Sequence, residues 1–434
     1  MQTNKPGSGQ DPASSSQQPG SVPWGIVGML MALCFISHLN RISMSVAGDE
    51  RIMKQFSISP EKMGLIYSSF LFVYTVFMIP GGFFIDRFGA RVALMVVGFG
   101  SALFAALTGL VGFGIVGAAQ VWLSLMLVRG AMGFLTTPLH PGCARAVSFC
   151  TPLPRCALIN GLVNGAALLG IACTYKVFGT LIDSYGWPNA FVICGVATAV
   201  MTAVWAFYTD NPLLRRPTTV THKEGTKSSD WTTLLKSRSL VLLTLGYAAV
   251  GYFQYLFFYW MHYYFDEVLH LGKSASQFYA GIPPLAMAVG MPLGGWLSDH
   301  LHGRFGYRKG RSLVPILSMV GGAIFLCFGI LSKSPAWIVA WFSLALGVVG
   351  ACEGSFWSTA VELGGRRGGT AAAILNTGGN GGGLLAPVVT PWVSGHFGWQ
   401  VGIGLGGLIC LLGALCWLGI DPAERTDESE RTQG

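Results

Sequence analysis

The chain has 434 residues, of which 52% are hydrophobic and only 11% are charged, and its formal net charge is +8. Because a soluble domain carries about 25% charged residues, this composition excludes an ordinary soluble protein and indicates a chain embedded in a lipid bilayer. The positive charge does not indicate a nucleic-acid partner, since the Lys and Arg residues are divided among short segments and form no single basic patch.

Polar stretches at the two ends and near the middle divide the chain. Residues 1–22 are rich in Ser, Gln, Gly and Pro and are expected to form a disordered tail. The stretch 209–238 contains RRPTTVTHKEGTKSSD and is expected to be a flexible linker. The division predicts one bundle at 23–208, a second bundle at 239–420 and a C-terminal tail at 421–434.

Twelve apolar runs lie between these polar stretches. A helix needs roughly 20 apolar residues to cross a bilayer. The runs of about this length are 23–47, 59–85, 92–113, 118–144, 156–182, 187–208, 239–265, 276–299, 312–332, 336–361, 368–393 and 399–420. Six runs precede the linker and six follow it, so the sequence predicts twelve transmembrane helices in two groups.

The short loops indicate the orientation of the chain. Most of the Lys and Arg residues in these loops lie on the side that holds Asp86, and cytoplasmic loops carry an excess of such residues. We therefore expect the Asp86 side, both termini and the linker to face the cytoplasm, with the spans in the plasma membrane (the inner membrane of a Gram-negative cell).

The two halves of the sequence repeat each other. GGFFIDRFG at 81–89 matches GGWLSDHLH at 294–302, which pairs Asp86 with Asp299. Further matched positions in the fifth and eleventh runs are Asn160, Asn164 and Gly165 against Asn376, Asn380 and Gly381. Repeated halves are typical of transporters, which place a binding site near the middle of the membrane between the two repeats.

A short charged turn, GGFFIDRFGAR at 81–91, separates the second and third apolar runs. It resembles the signature loop of the major facilitator superfamily, and RGAMG at 129–133 resembles the membrane-embedded arginine motif of that superfamily. The positions that carry the first match are Gly82, Asp86, Arg87, Gly89 and Arg91, with a weaker repeat at Gly295 and Asp299. The resemblance implies an all-α membrane protein with twelve transmembrane helices in two pseudo-symmetric six-helix bundles.

The resemblance also implies a role for the charged turn. In the superfamily it latches the cytoplasmic ends of helices while the carrier faces outward. Gly82 would permit close contact between helices, and Gly89 would permit the tight turn. Asp86 would face a helix N-terminus and nearby arginines, where a carboxylate is favoured.

Longer phrases narrow the resemblance to the anion:cation symporter family, which includes bacterial sugar-acid carriers and the animal sialic-acid and vesicular glutamate carriers. The phrases are HLNRISMSVA (38–47), SSFLFVYTVFMIPGG (68–82), FFYWMHYYF (257–265), SFWSTA (355–360) and GTAAAILNTGGNGGGLLAP (369–387). Members of this family move organic anions, many of them together with protons. The expected partners are therefore a small organic anion, the lipid bilayer and, as the candidate coupling ion, the proton.

Two arginines inside apolar runs agree with an anionic substrate. A charge at the centre of a membrane helix costs at least about 2.5–3.5 kcal/mol, so Arg41 and Arg129 are candidates for substrate binding. An arginine can hold both oxygens of a carboxylate in a fork. The alternative is that one of them only ties helices together through backbone carbonyls. Asp49, Glu50 or Glu353 could also approach them in three dimensions.

Softer candidates come from matches to family cavity positions. Tyr74, Trp357 and Asn376 match such positions, and Asn380 lies one turn from Asn376 on the same helix face. Each of these four could instead hold helices together by hydrogen bonds.

The sequence departs from the family at the usual proton carriers. Asn40 stands where proton-coupled members have Asp, and Thr136 stands where they have Glu. The remaining candidates for proton coupling are His38, one turn before Arg41, and Glu353. His140 is interpreted as a packing residue.

These features predict a secondary active transporter of sugar acids or small carboxylates that works by alternating access as a monomer. A phosphate-ester antiporter and an uncoupled anion facilitator remain alternatives, and a transport-dead membrane sensor is the alternative from another class. Neither enzyme activity nor a cofactor is expected, because no metal-ligand spacing, nucleophile–base pair or paired catalytic carboxylates emerge.

Overall fold

The computed structural model describes residues 21–58, 60–115, 117, 120–209 and 232–421. Nearly all of the predicted N-terminal tail, most of the predicted linker and the C-terminal tail after Asp421 lie outside these residues. The last part of the predicted linker is helical at Thr232–Lys236.

The described part of the chain is helical and contains no β-strand. The helices of the first half are α1 Trp24–Ala47, α2 Met53–Phe56, α3 Pro60–Val76, α4 Met78–Leu110, α5 Val121–Thr136, α6 Leu139–Cys150, α7 Cys156–Tyr185 and α8 Trp187–Tyr208. Those of the second half are α9 Thr232–Lys236, α10 Arg238–Tyr263, α11 Lys273–Phe305, α12 Tyr307–Leu331, α13 Pro335–Gly350, α14 Glu353–Gly364, α15 Gly368–Phe397 and α16 Trp399–Cys416. Single π or 3-10 turns lie at Gly48–Ile52, Val111–Ile115, Leu153–Arg155, Tyr264–Val268, Gly365–Arg367 and Trp417–Gly419.

Ten helical segments of the described residues are long and apolar enough to cross a membrane. One of them, Pro335–Phe397, has 63 residues and holds two of the predicted spans, because a single crossing needs only about 20. The shorter apolar helix Leu65–Val76, continued by the start of α4, supplies the predicted second span. With these divisions the helices accommodate the twelve predicted spans.

Large apolar side chains are exposed around the outside of the helices. Examples are Phe72, Val200, Phe207, Leu408 and Leu418. Apolar exposure on this scale is unfavourable in water, whereas it suits contact with lipid tails.

Some predicted spans consist of two consecutive helices. α5 and α6 are separated at Thr137 and Pro138, and α13 and α14 at Ala351 and Cys352. Pro138 contributes no backbone N–H, which favours an interruption there. Discontinuous spans in corresponding positions of two halves are typical of transporter binding sites. The break therefore extends the sequence repeat into the structure.

Small residues let helices of the two halves touch. A Cβ added at Gly161 of α7 would lie 2.3 Å from the Met291 carbonyl oxygen of α11. A Cβ added at Gly82 of α4 would lie 2.7 Å from the Ala373 Cβ of α15. Both contacts are on the Asp86 side, where the two halves are closed against each other.

Candidate substrate and coupling site

Asp86 joins the two halves at the N-terminus of α15. Its carboxylate accepts hydrogen bonds from the backbone N–H groups of Gly369, at 3.0 Å, and Thr370, at 2.9 Å, and from the Thr370 hydroxyl. The positively charged Arg145 is close enough to interact with this carboxylate electrostatically. A Cβ at Gly369 would lie 2.7 Å from the Asp86 Oδ1 atom, so glycine is needed for this approach.

Asp299 makes the equivalent connection from the other half. It accepts hydrogen bonds from the N–H groups of Ala157, at 3.3 Å, and Leu158, at 2.8 Å, at the N-terminus of α7. It also pairs with buried Arg311 at 2.8 Å. A Cβ at Gly295 would lie 2.3 Å from the Ala157 carbonyl oxygen. The two carboxylates thus bind two helix N-termini, where the dipole favours negative charge.

The other residues of the signature loop have different neighbours. Gly89 has a φ of 83°, which lets the chain turn sharply within α4. The Arg87 guanidinium lies over the Phe88 ring at 5.4 Å, and Arg91 donates a hydrogen bond to the Ala206 carbonyl. The sequence did not point to Arg145, which donates to the carbonyl of Gly365 at 2.6 Å and to that of Arg366 at 2.9 Å.

Arg129 is buried and bonded to the first helix. Its guanidinium donates to the carbonyl oxygens of Asn40, at 3.2 Å, and Arg41, at 2.6 Å. Its charge also lies 5.5 Å from the centre of the Phe70 ring. This geometry favours the alternative in which Arg129 ties α5 to α1.

Arg41 has a different environment. It is half-buried, and its guanidinium lies over the rings of Phe70, at 5.1 Å, and Tyr74, at 5.7 Å. Among the side chains that the structure describes, Tyr255 is its hydrogen-bonding neighbour and no carboxylate forms a salt bridge with it. The side chains of Asp49 and Glu50 lie outside that set, and Glu353 is bonded elsewhere.

A line of polar groups runs from Tyr74 across the boundary between the halves. The Asn376 amide donates to the Tyr74 hydroxyl at 3.2 Å. The Asn380 amide donates to the Asn376 side-chain oxygen at 3.2 Å, and the Tyr255 hydroxyl donates to the Asn380 oxygen at 3.4 Å. Since Tyr74 and Tyr255 both adjoin Arg41, these hydroxyl and amide groups and the cation form one polar surface.

Glu353 is buried at the first position of α14, and its carboxyl group is surrounded by hydrogen-bond donors. The Tyr247 hydroxyl, at 2.9 Å, and the Trp357 indole N–H, at 3.2 Å, donate to one carboxylate oxygen. The amide of Gln254 donates to the other. The Trp357 N–H therefore donates to both Glu353 and Tyr247, and other groups can contact only its ring.

His38 and His140 meet in the first half. Their Nε2 atoms are 3.4 Å apart and their ring centres 5.0 Å apart. The His140 ring also packs against the ring of Trp357 at 5.7 Å. The structure thus links His38 to Glu353 through His140 and Trp357. The sequence predicts a packing role for His140 and does not indicate the pairing, because 102 positions separate the two histidines.

Asn40 and Thr136, which stand where proton-coupled members of the resembled family have carboxylates, form hydrogen bonds with neighbouring groups. The Asn40 amide donates to the Thr198 hydroxyl at 2.7 Å, while its side-chain oxygen is buried and has no hydrogen-bond partner among the described residues. The Thr136 hydroxyl donates to the Met132 carbonyl of its own helix at 2.9 Å. Neither side chain titrates in the ordinary range.

Comparison with known proteins places the chain in a family. The family model described as Major Facilitator Superfamily matches residues 30–368 and 301–434. Among curated proteins, the chain is similar to one named "Probable sulfoacetate transporter SauU" from Cupriavidus necator, with 26% identity over 94% of this chain and 96% of the relative. It is also similar to the D-galactonate transporter of Escherichia coli, with 24% identity over 93% of this chain and 96% of the relative.

Solved structures agree on the fold. The transporter FucP in its outward conformation matches with a TM-score of 0.70 and 14% identity, covering 90% of this chain and 98% of that chain. The proton:xylose symporter XylE matches with a TM-score of 0.64 and 18% identity, covering 93% of this chain and 97% of that chain. At these identities the similarity establishes the architecture alone.

Proposed function

This chain belongs to the Major Facilitator Superfamily, and we propose that it carries a small organic anion, a sugar acid or another small carboxylate or sulfonate, across the plasma membrane by alternating access. The protein is a multi-pass membrane transporter, as its family and the names of these relatives indicate. The substrate class is supported by the site and by the relatives' names.

The observation that carries the proposal is the environment of Arg41. A half-buried guanidinium whose described neighbours are aromatic rings and phenols keeps its ability to hold a carboxylate in a fork. The cost of a charge inside the membrane is offset when an anion binds it. Tyr74, Asn380 and Tyr255 supply nearby groups that suit the hydroxyls of a sugar acid.

The comparisons support the same class of substrate. Relatives are named for sulfoacetate, galactarate/D-glucarate and D-galactonate, which are all anions with one or two acidic groups. A phosphate ester would be held better by two arginines, but the guanidinium of Arg129 donates to two backbone carbonyls. That difference favours a carboxylate or sulfonate over a phosphate ester.

The test is ligand binding to the purified protein. Sulfoacetate, D-galactonate and D-glucarate are compared with the neutral sugar D-galactose and with glucose 6-phosphate in a thermal-shift assay. A ligand that binds the folded state raises its stability, so at least one of the three anions should raise the unfolding temperature while D-galactose does not. A shift with glucose 6-phosphate alone would replace this proposal by the phosphate-ester alternative.

A further inference from the structure

The Nε2 atoms of His38 and His140 face each other, and two neutral nitrogens that both lack a hydrogen would repel at their separation of 3.4 Å. The Nδ1 atom of His38 lies 3.0 Å from the Cys34 carbonyl oxygen, which can only accept a hydrogen bond. His38 therefore carries a proton on Nδ1, and in its neutral form the Nε2 atom has a lone pair. That Nε2 atom points at His140.

His140 is held in the same way through its own Nδ1 atom. Its Nδ1 atom lies 3.1 Å from the side-chain oxygen of Asn164, which also only accepts. The neutral ring would then present a second lone pair to the first, at 3.4 Å. One proton between the two Nε2 atoms converts this repulsion into a charge-assisted hydrogen bond.

The surroundings limit the pair to one proton. The charged group nearest to it in sequence is Arg41, on the same helix as His38. The thiols of Cys34 and Cys143, which lie 3.6 Å apart, also face the pair. On the far side of Trp357 are two further titratable groups, Glu353 and Tyr247. A second proton would place two imidazolium rings in contact, near the cation of Arg41. A single proton shared by the pair avoids this.

We propose that His38 and His140 form a single-proton binding site that takes the place of the carboxylates missing at Asn40 and Thr136. The role of this site in coupling rests on the proposed function. An anion on Arg41 cancels the nearest positive charge, so anion and proton favour each other's binding. Trp357, which packs on His140, belongs to the other half, so movement of one half against the other changes access to the pair.

The site itself is tested without a substrate. The full chain is labelled with nitrogen-15 histidine, placed in lipid nanodiscs and compared by NMR with His38→Gln and His140→Gln. His396→Gln is the matched control, because the Nδ1 atom of exposed His396 bonds the Trp392 carbonyl in the same way, but no second imidazole contacts it in the part of the chain that the structure describes.

We expect the pair to bind one proton as a unit, with both rings carrying hydrogen on Nδ1. Either substitution in the pair should abolish the shared-proton signal and return the remaining ring to a neutral form, whereas His396→Gln should leave it unchanged. The proposal is overturned if His140 is neutral with hydrogen on Nε2 and the Asn164 amide nitrogen facing Nδ1, or if the two rings titrate independently.

The role in coupling is tested in proteoliposomes with sulfoacetate and D-galactonate under an inward proton gradient. Wild type and His396→Gln should accumulate a probe, and His140→Gln should not. Accumulation by His140→Gln at the wild-type level would remove the pair from coupling. If wild type transports a probe without accumulating it, proton coupling is refuted, but anion transport is not. If wild type transports none of the probes, the result counts against the proposed function, and the NMR experiment still decides whether the proton site exists.

Discussion

His140 and Glu353 occupy corresponding positions in the two halves of the protein and lie on either side of Trp357. They are 213 positions apart, the same separation as Asp86 and Asp299, and each follows a break between two helices. The His140 ring packs on the Trp357 ring, and the Trp357 N–H donates to Glu353. The repeat thus brings one titratable group from each half to the same contact.

Glu353 should contribute to proton coupling. Glu353→Gln keeps the size and an acceptor for Trp357 but removes the carboxylate, so accumulation driven by an inward proton gradient should fall at least severalfold in proteoliposomes. Asp183→Asn, at an exposed carboxylate that pairs with Arg51, is the matched control and should accumulate normally. If wild type shows no accumulation while a known proton symporter in the same vesicles does, exchange or facilitation stands instead.

Arg41 should hold the acidic group of the substrate. Arg41→Lys keeps the charge but loses the planar fork, and Arg41→Ala loses both, so affinity should fall about tenfold or more, which corresponds to roughly 1.4 kcal/mol. The measurement is ligand affinity for protein whose folding has been checked by gel filtration. Arg51→Lys makes the same change at the surface and serves as the control. Unchanged affinity in folded Arg41→Ala would mean that this arginine is structural.

Arg129 should act on stability more than on affinity. Arg129→Lys cannot reproduce its two hydrogen bonds to the Asn40 and Arg41 carbonyls, and lost bonds to a charged group are worth about 1.5–3 kcal/mol each. We therefore expect a lower unfolding temperature and an affinity within a few fold of wild type. A large loss of affinity at unchanged stability would instead assign Arg129 to the substrate.

Asp86 should control the conformational change. Asp86→Asn preserves the shape but weakens the hydrogen bonds to the N-terminus of α15, so transport should slow markedly while substrate affinity stays within a few fold. Asp299→Asn tests the corresponding contact in the other half and should act in the same direction. Transport at the wild-type rate in Asp86→Asn would show that the carboxylate is not a latch.

The orientation can be tested by cysteine accessibility. Single cysteines introduced at 86–91, 145–155, 209–237 or 300–311 should resist an impermeant thiol reagent added to whole cells, because the basic loops are expected in the cytoplasm. Native cysteines are controlled for in the unsubstituted protein. Ready labelling from outside would reverse the predicted topology.

The sequence by itself was sufficient to predict the transmembrane architecture and the contact that the charged turn at 81–91 makes. The lengths of the apolar runs predicted the spans because a bilayer has a fixed thickness. The resemblance of Gly82, Asp86 and Gly89 to the superfamily signature loop predicted a charged turn whose carboxylate faces a helix N-terminus, where the helix dipole favours negative charge.

Tertiary structure alone decided which polar side chains meet. Arg41 and Arg129 are equivalent as intramembrane arginines in the sequence, yet one lies among aromatic rings and the other bonds backbone carbonyls. The pairing of His38 with His140 depends on how α1 packs against α6. The breaks in the fourth and tenth spans bring His140 and Glu353 to this contact, and helical periodicity cannot predict where residues after such a break will lie. Hydropathy determines that a helix crosses the membrane, but its rotation and its neighbours follow from close packing between helices.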